Sequence, residues 1–467
     1  MNTTPTSYPS RAARRPVFRP LAVALALGLA AAGAQAQSLQ ELYLAARGYD
    51  ATYLAARALL ESAQFRTDQA KALRLPSVGL AVTGNYATSD TPGASGTLNS
   101  DSTSFNAAVS ARQSLYNRAN DSTISQAGKS LELSRAEFEA AEQDLIVRVA
   151  QAYFDVLAAQ DALGTAQAGK KAISETLASA KRNFEVGTAT ITDTREAQAR
   201  FDLSTAQEIA AENDLRTKRI ALDQLVGRNG VTPNGLATPV ALPAVAPADV
   251  DAWVGRADAE HPSVRRARLG LEVARLETEK AQAGRSPTID LSGSVGKGHN
   301  RSSGDAIVAT TQGRFAQPFS SSSGSTTASI GIQLNLPLYT GGSIDNRIKE
   351  TLSLEEKSRN EVEAARRGVA QGTRQAFFGV QSGLAQVKAL EAAESSSALA
   401  LEATQLGFRV GVRVNLDVLN AQTQLFSTRR DLAKARYDVI VGGLRLRQAS
   451  GQLKPEDVGA VNQLLAK

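Results

Sequence analysis

Phe184-Glu-Val-Gly187 returns 224 residues later as Phe408-Arg-Val-Gly411. In the same register Tyr153-Phe154 returns as Phe377-Phe378, Asp193 as Asp417, Ala197-Gln198 as Ala421-Gln422 and Gly227 as Gly451. A register held over that span is a structural duplication. Upstream the offset falls to 211, where Arg74-Leu-Pro76 answers Arg285-Ser-Pro287. The extra residues of the second copy therefore lie between Pro287 and Tyr339, in a Ser/Gly-rich stretch. The chain divides into a first repeat at 37–227, a link at 228–248, a second repeat at 249–451 and a tail at 452–467. The link carries Pro233, Pro239, Pro243 and Pro247.

Proline is absent from 93 to 232 and from 338 to 454, and both stretches are rich in strong helix formers. Helices are expected at 118–186 and 193–226 in the first repeat and at 343–409 and 415–450 in the second. Shorter ones at 38–74 and 249–284 run up to the breaks at Pro76 and Pro287. A helix over 118–186 is roughly 100 Å long at 1.5 Å per residue, which points to a coiled-coil-like assembly. In each repeat the two shorter helices, end to end, match the long one and are expected to stack beside it. Small residues such as Ala140-Ala141, Ala158-Ala159 and Ala364-Ala365 permit the close approach that a curved helical wall needs.

Four strands are expected, as hairpins at 77–115 and 287–339. Ile330, Ile332, Leu334, Leu336 and Leu338 alternate with Gly, Gln, Asn and Pro. Phe105, Ala107, Val109, Ala111 and Leu115 follow the same alternation, as do Val78, Leu80 and Val82, and Ile289, Leu291 and Val295. Long polar loops are expected inside the hairpins, from Ser89 to Asp101 and from Gly296 to Thr327. The pattern fits a half-buried sheet in a soluble domain and a tilted membrane strand of about 9–11 residues equally well. Four strands are too few to close a membrane barrel, and an open edge is not tolerated in lipid. Membrane strands would therefore require several chains to share one barrel, and three chains would supply twelve.

The first 36 residues read as a secretory signal: Arg11, Arg14, Arg15 and Arg19, an apolar run from Leu21 to Ala32, then Ala34-Gln35-Ala36. Removing those arginines takes the basic residues from 52 to 48 against 46 acidic, so the basic balance is no sign of nucleic-acid binding. The chain has no cysteine, which excludes thiolate catalysis, Cys-ligated metals and a lipobox anchor. Its only histidines, His261 and His299, have no visible partners for a triad or a zinc site. No phosphate-binding loop or nucleophile constellation is present, so neither an enzyme nor a cofactor is expected. A periplasmic adaptor would carry one helical hairpin and a membrane anchor, and this chain has two hairpins and no anchor.

The order, duplication and spacing of several segments resemble the TolC-like outer-membrane channel-tunnels. They are Leu73-Arg-Leu-Pro-Ser77, Ala152-Tyr-Phe-Asp-Val156, Phe184 to Asp193, Leu336 to Gly342 and Gly407 to Ala421. The resemblance implies a mainly α protein with membrane β structure. As a homotrimer it would place four strands per chain in one twelve-stranded barrel in outer-membrane lipid. Its helices would form a long α-barrel crossing the periplasm of a Gram-negative bacterium. It also implies partners, a periplasmic adaptor and an inner-membrane pump or ABC translocase, and a passive role in efflux of toxic compounds or type I protein secretion.

The turns Val186-Gly187-Thr188 and Val410-Gly411-Val412 lie where glycine ends a helix in a left-handed conformation. By resemblance they form the periplasmic tip that docks the adaptor. Asp193 heads a capping-box-like helix start, Asp193-Thr-Arg-Glu196. By resemblance it also pairs across the tip with Arg413, and Thr192 joins that network. Phe408 stands where a family member has a tyrosine, so closure there would rest on packing. Asp417 is kept at the constriction while a second acid is replaced by Asn420, which leaves one carboxylate ring and a weakened cation preference. Without the resemblance, Asp417 is a first-turn acid that complements the helix dipole. Tyr86, Phe105 and Tyr339 are expected at interface girdles.

Overall fold

The computed structural model describes residues 37–93, 96–237, 239–240, 242–311 and 313–466. The signal segment 1–36 lies outside the described residues. The first repeat runs α1 (Leu39–Tyr49), α2 (Ala51–Lys71), β1 (Ser77–Gly93), β2 (Gly96–Tyr116), α3 (Arg118–Glu185) and α4 (Ile191–Val226). The second runs α5 (Val250–Glu260), α6 (Pro262–Ala283), β3 (Thr288–Thr310), β4 (Gly313–Asn335), α7 (Ser343–Arg409) and α8 (Asn415–Ala449), and α9 (Pro455–Asn462) follows.

The long helices are 68 and 67 residues. Each packs along its return helix, α3 on α4 and α7 on α8, and α3 also packs on α2, α6 and α8. The expected single helices at 38–74 and 249–284 are each broken once. Asp50 interrupts the first, because its carboxylate caps α2 at the Tyr53 N–H (2.8 Å) and takes both Arg148 Nη atoms (2.9 and 3.0 Å). The Arg148 hydrogen bonds hold the Asp50 carboxyl below its ordinary pKa. His261-Pro262 breaks the second, with Pro262 in the first turn of α6, where its missing N–H costs nothing.

These breaks receive the ends of the return helices. Gly227 caps α4 at φ 69°, and a Cβ there would sit 2.4 Å from the Tyr49 ring. Gly451 follows α8 at φ 74°, with a Cβ position 2.5 Å from the His261 Cα. Return helix and short helix thus abut beside the long one, as their lengths imply.

The main core lies midway along the helices, around Leu42, Leu145, Tyr153, Phe154, Leu222 and Leu444. Linker and tail join it rather than trailing free. Gln37 bridges Pro233, Leu236 bridges Leu465, and the Tyr153 hydroxyl donates to the Asn234 carbonyl (2.9 Å).

The four strands form one antiparallel sheet in the order β1-β2-β3-β4. The long loops expected within the hairpins are absent: pairing continues to Gly93↔Gly96 and Thr310↔Gly313. Ser, Thr and Gly are typical of loops, yet backbone pairing requires no apolar side chain on either face. β3 and β4 reach 23 residues each, more than twice what a bilayer needs. Tyr339 falls beyond the end of β4, so it is no strand residue.

Register places Val78, Leu80, Val109, Val295, Ile330 and Ile332 on one face. The residues next to them along each strand, which point to the other face, are Gly, Ala, Ser and Gln. Leu80 is 70% exposed and Ile330 82%, so none of the described residues covers the apolar face. Within the chain the sheet is therefore not half-buried. Among the described residues no helix is long and apolar enough to cross a membrane.

Candidate functional site

Both helical hairpins turn at the same end of the molecule, by the same bonds. Gly187 N–H donates to the Phe184 carbonyl (3.0 Å) and Thr188 N–H to that of Asn183 (2.8 Å). In the second turn Gly411 N–H donates to Phe408 (3.1 Å) and Val412 N–H to Gly407 (2.9 Å). This is a Schellman-type helix end, and it needs the left-handed backbone that both glycines adopt, at φ 80° and 81°. Around them Val186, Val410 and Val412 are 66–76% exposed, an apolar tip that no described residue covers.

The helix starts after the turns differ. Thr190, not Asp193, is the N-cap of α4. The Asp193 N–H donates to Thr190 Oγ1 (3.2 Å), and Asp193 Oδ2 accepts from the Thr190 N–H (3.0 Å) and hydroxyl (2.7 Å). Asp193 is thus the third-residue partner of the box, because the helix begins two residues earlier than expected. At the start of α8 the capping position is Val414, which has no side-chain acceptor. There Arg413 reaches Asp417 at 3.6 Å. Within this protomer Asp193 and Arg413 do not form an ion pair. Thr192 is exposed and Phe408 half-buried.

What joins the two hairpins near the tip was not read from the sequence. Arg200 Nη2 donates to Asn420 Oδ1 (2.8 Å), so the residue that replaces the second acid is an acceptor for an arginine of the other repeat. Gln422 Nε2 donates to Thr176 Oγ1 (3.2 Å). Beneath these bonds Ile173, Leu177, Ala180, Ala197 and Leu419 form a small buried core. At Gly169, where a Cβ would lie 3.3 Å from the Phe426 ring, α3 and α8 approach closely. The one available signal for Arg200–Asn420 was the repeat itself. Asn420 stands at the position of Glu196, and an amide in place of an acid beside a basic partner marks a changed bond.

The site therefore holds an acid, Asp417, with an arginine beside it, an arginine–amide tie and an apolar rim. Among the described residues no group of His, Cys, Asp or Glu could hold a metal ion. The arrangement bears charge and contact surface.

Comparison with known proteins extends this reading over the whole chain. Residues 42–228 and 253–452 match the family described as outer membrane efflux protein. The outer membrane protein TolC of Vibrio cholerae serotype O1 is 32% identical over 443 residues, which are 95% of this chain and 97% of that protein. The alkaline protease secretion protein AprF of Pseudomonas aeruginosa is 34% identical over 333 residues, 70% of this chain and 66% of its own. Among solved structures, the outer membrane protein VceC of Vibrio cholerae superposes with a TM-score of 0.69 at 19% identity. That match covers 88% of this chain and 96% of VceC, and it supports the fold alone.

Proposed function

The chain belongs to the outer membrane efflux protein family and lies in the outer membrane, extending into the periplasm; on that premise we propose that three copies share one twelve-stranded barrel above a continuous helical tunnel. The observation that carries this is the sheet. It has one uncovered apolar face, one small polar face, and two edges, β1 and β4, with no partner strand in the chain. Exposed edges and an apolar face are stable together in lipid only when the sheet is closed. Three copies of four strands close it and line the lumen with Ser, Thr, Asn and Gly.

The protein is a conduit for efflux and type I secretion, and in this reading it is passive and not an enzyme. The driving energy comes from an inner-membrane pump or ABC translocase reached through a periplasmic adaptor. The docking surface is the tip: Val186, Gly187, Thr188, Val410, Gly411 and Val412. Its exposed valines offer apolar contact to a helical partner. The domain limits follow the repeats, 37–227 and 249–451 around the 228–248 link.

Closure is assigned to the charged residues above the tip. Among the described residues Asp193 Oδ1 makes no hydrogen bond, and Arg413 holds Asp417 only at 3.6 Å. Both remain able to meet across the trimer axis, with Thr192 beside them and Phe408 packing beneath. Such exposed pairs are worth about 0–1 kcal/mol each, which suits a latch that an adaptor must open. Asp417 forms the constriction ring, and its contact with Arg413 tempers the cation preference that three bare carboxylates would give.

Planar-bilayer conductance of the mature protein, beside an Asp193→Ala/Arg413→Ala double variant, tests this. The expected result is a small, cation-preferring conductance that rises severalfold in the variant. An unchanged conductance would move closure to Phe408 and to Arg200–Asn420. No channel from a folded trimer would end the conduit reading.

A further inference from the structure

We propose that Lys297, His299 and Arg301 on β3 bind the phosphate of an anionic lipid headgroup in the outer leaflet of the membrane. The inference rests on the barrel reading above.

The three residues are successive outward positions of one strand, about 7 Å apart. They continue the face that carries Leu291 and Val295, and all three are exposed. Their cross-strand partners are Ala107, Phe105 and Thr103 on β2 and Thr326, Gly324 and Ser322 on β4, none of them charged. Among the described residues neither Lys297 nor Arg301 has an ion-pair partner, and His299 Nε2 lies 3.3 Å from Ser322 Oγ. The nearest acid on this face, Asp101, stands one register row beyond Arg301 and accepts the Tyr86 hydroxyl at 3.2 Å. Asp305 and Asp90 lie farther toward the hairpin ends.

Placement makes the cluster informative. The opposite, lumen-side positions of the same segment are Gly296, Gly298 and Asn300. Charges meant only for solvent or for tuning the pore would sit on that side. These sit on the lipid side, where the apolar band ends, and lysine or arginine in the hydrocarbon itself is unfavourable. Phe105 and Tyr86, both exposed on the same face, mark the interface level beside them. A headgroup phosphate at that level would find two mobile cations, an imidazole and an aromatic wall, while its acyl chains lie along Val295 and Val109.

Native mass spectrometry of the detergent-solubilised trimer, titrated with bisphosphorylated lipid A, is the test. The wild type is expected to retain up to three lipids per trimer, and Lys297→Gln/Arg301→Gln to bind roughly tenfold more weakly. The charge-conserving Lys297→Arg/Arg301→Lys variant should bind as the wild type does. Dephosphorylated lipid of the same acyl composition should not be retained. Equal retention by wild type and the Gln variant overturns the proposal. Full displacement by millimolar inorganic phosphate also overturns it, because the site would then be one for free anions. A wild type that forms no conducting trimer would instead defeat the barrel reading.

Discussion

Gly227 and Gly451 perform one task in the two repeats, ending a return helix hard against the break in a short one. At Gly451 both constraints apply: a left-handed φ of 74° and a Cβ position 2.5 Å from the His261 Cα. Gly411 has the same backbone sign but open space around it. Gly411→Ala should therefore cost only the conformational strain, about 1–2 kcal/mol. Gly451→Ala adds overlap with backbone that no rotamer relieves. In thermal unfolding of the purified trimer, Gly411→Ala should melt within a few degrees of wild type and Gly451→Ala far lower, or fail to accumulate. Similar melting of the two would refute the packing role of Gly451. The repeated glycines were legible in the sequence, because a left-handed helix end admits few other residues. The Arg200–Asn420 tie was not, because a bond between residues 220 positions apart leaves no local period to read.

At the level of the element, α6 begins with an unusual cap. The His261 Nδ1 accepts the Ser263 N–H at 3.0 Å, and burial pushes the imidazole below its ordinary pKa of 6.5. Only the neutral ring can accept there; a protonated Nδ1 is a donor. The folded state thus binds its proton later than the unfolded chain does. The stabilisation is fully present above about pH 6.5 and is lost as pH falls through the depressed folded pKa. His261→Asn caps without titrating. Unfolding followed from pH 7.5 to 5 should show a steeper loss of stability for wild type than for His261→Asn, and parallel curves would remove His261 as the cause. Asp50, held low by Arg148, acts in the same direction at lower pH: its stabilisation is fully present above its ordinary 3.8 and is lost as pH falls through the depressed folded pKa. The strands teach a related lesson. Their apolar segments are legible from alternation, but their polar outer halves have the composition of loops, and composition alone does not reveal backbone pairing.

For the whole molecule, the two faces of the sheet meet different solvents. Leu80 lies on the apolar face and Thr83 on the polar one, three residues along β1. Leu80→Lys puts a charge into the apolar band, where the cost rises to about 2–4 kcal/mol toward the bilayer midplane, and should lower the yield of heat-stable outer-membrane trimer. Thr83→Lys should leave assembly intact and shift the reversal potential of the channel toward anions. The opposite pattern, with Thr83→Lys blocking assembly and Leu80→Lys changing selectivity, would mean that the faces are inverted.

The duplication, the long helices, the glycine turns and the alternating strands were determined by the sequence alone, since each is a local period or a repeated register. Only the tertiary structure decided the rest: that the apolar strand face is uncovered, that the hairpins pair to their ends, that Asp193 is held by Thr190, and that the short helices break where the return helices abut. Each of these depends on which distant residue occupies the space beside a group, and in a chain of this length that is decided by packing.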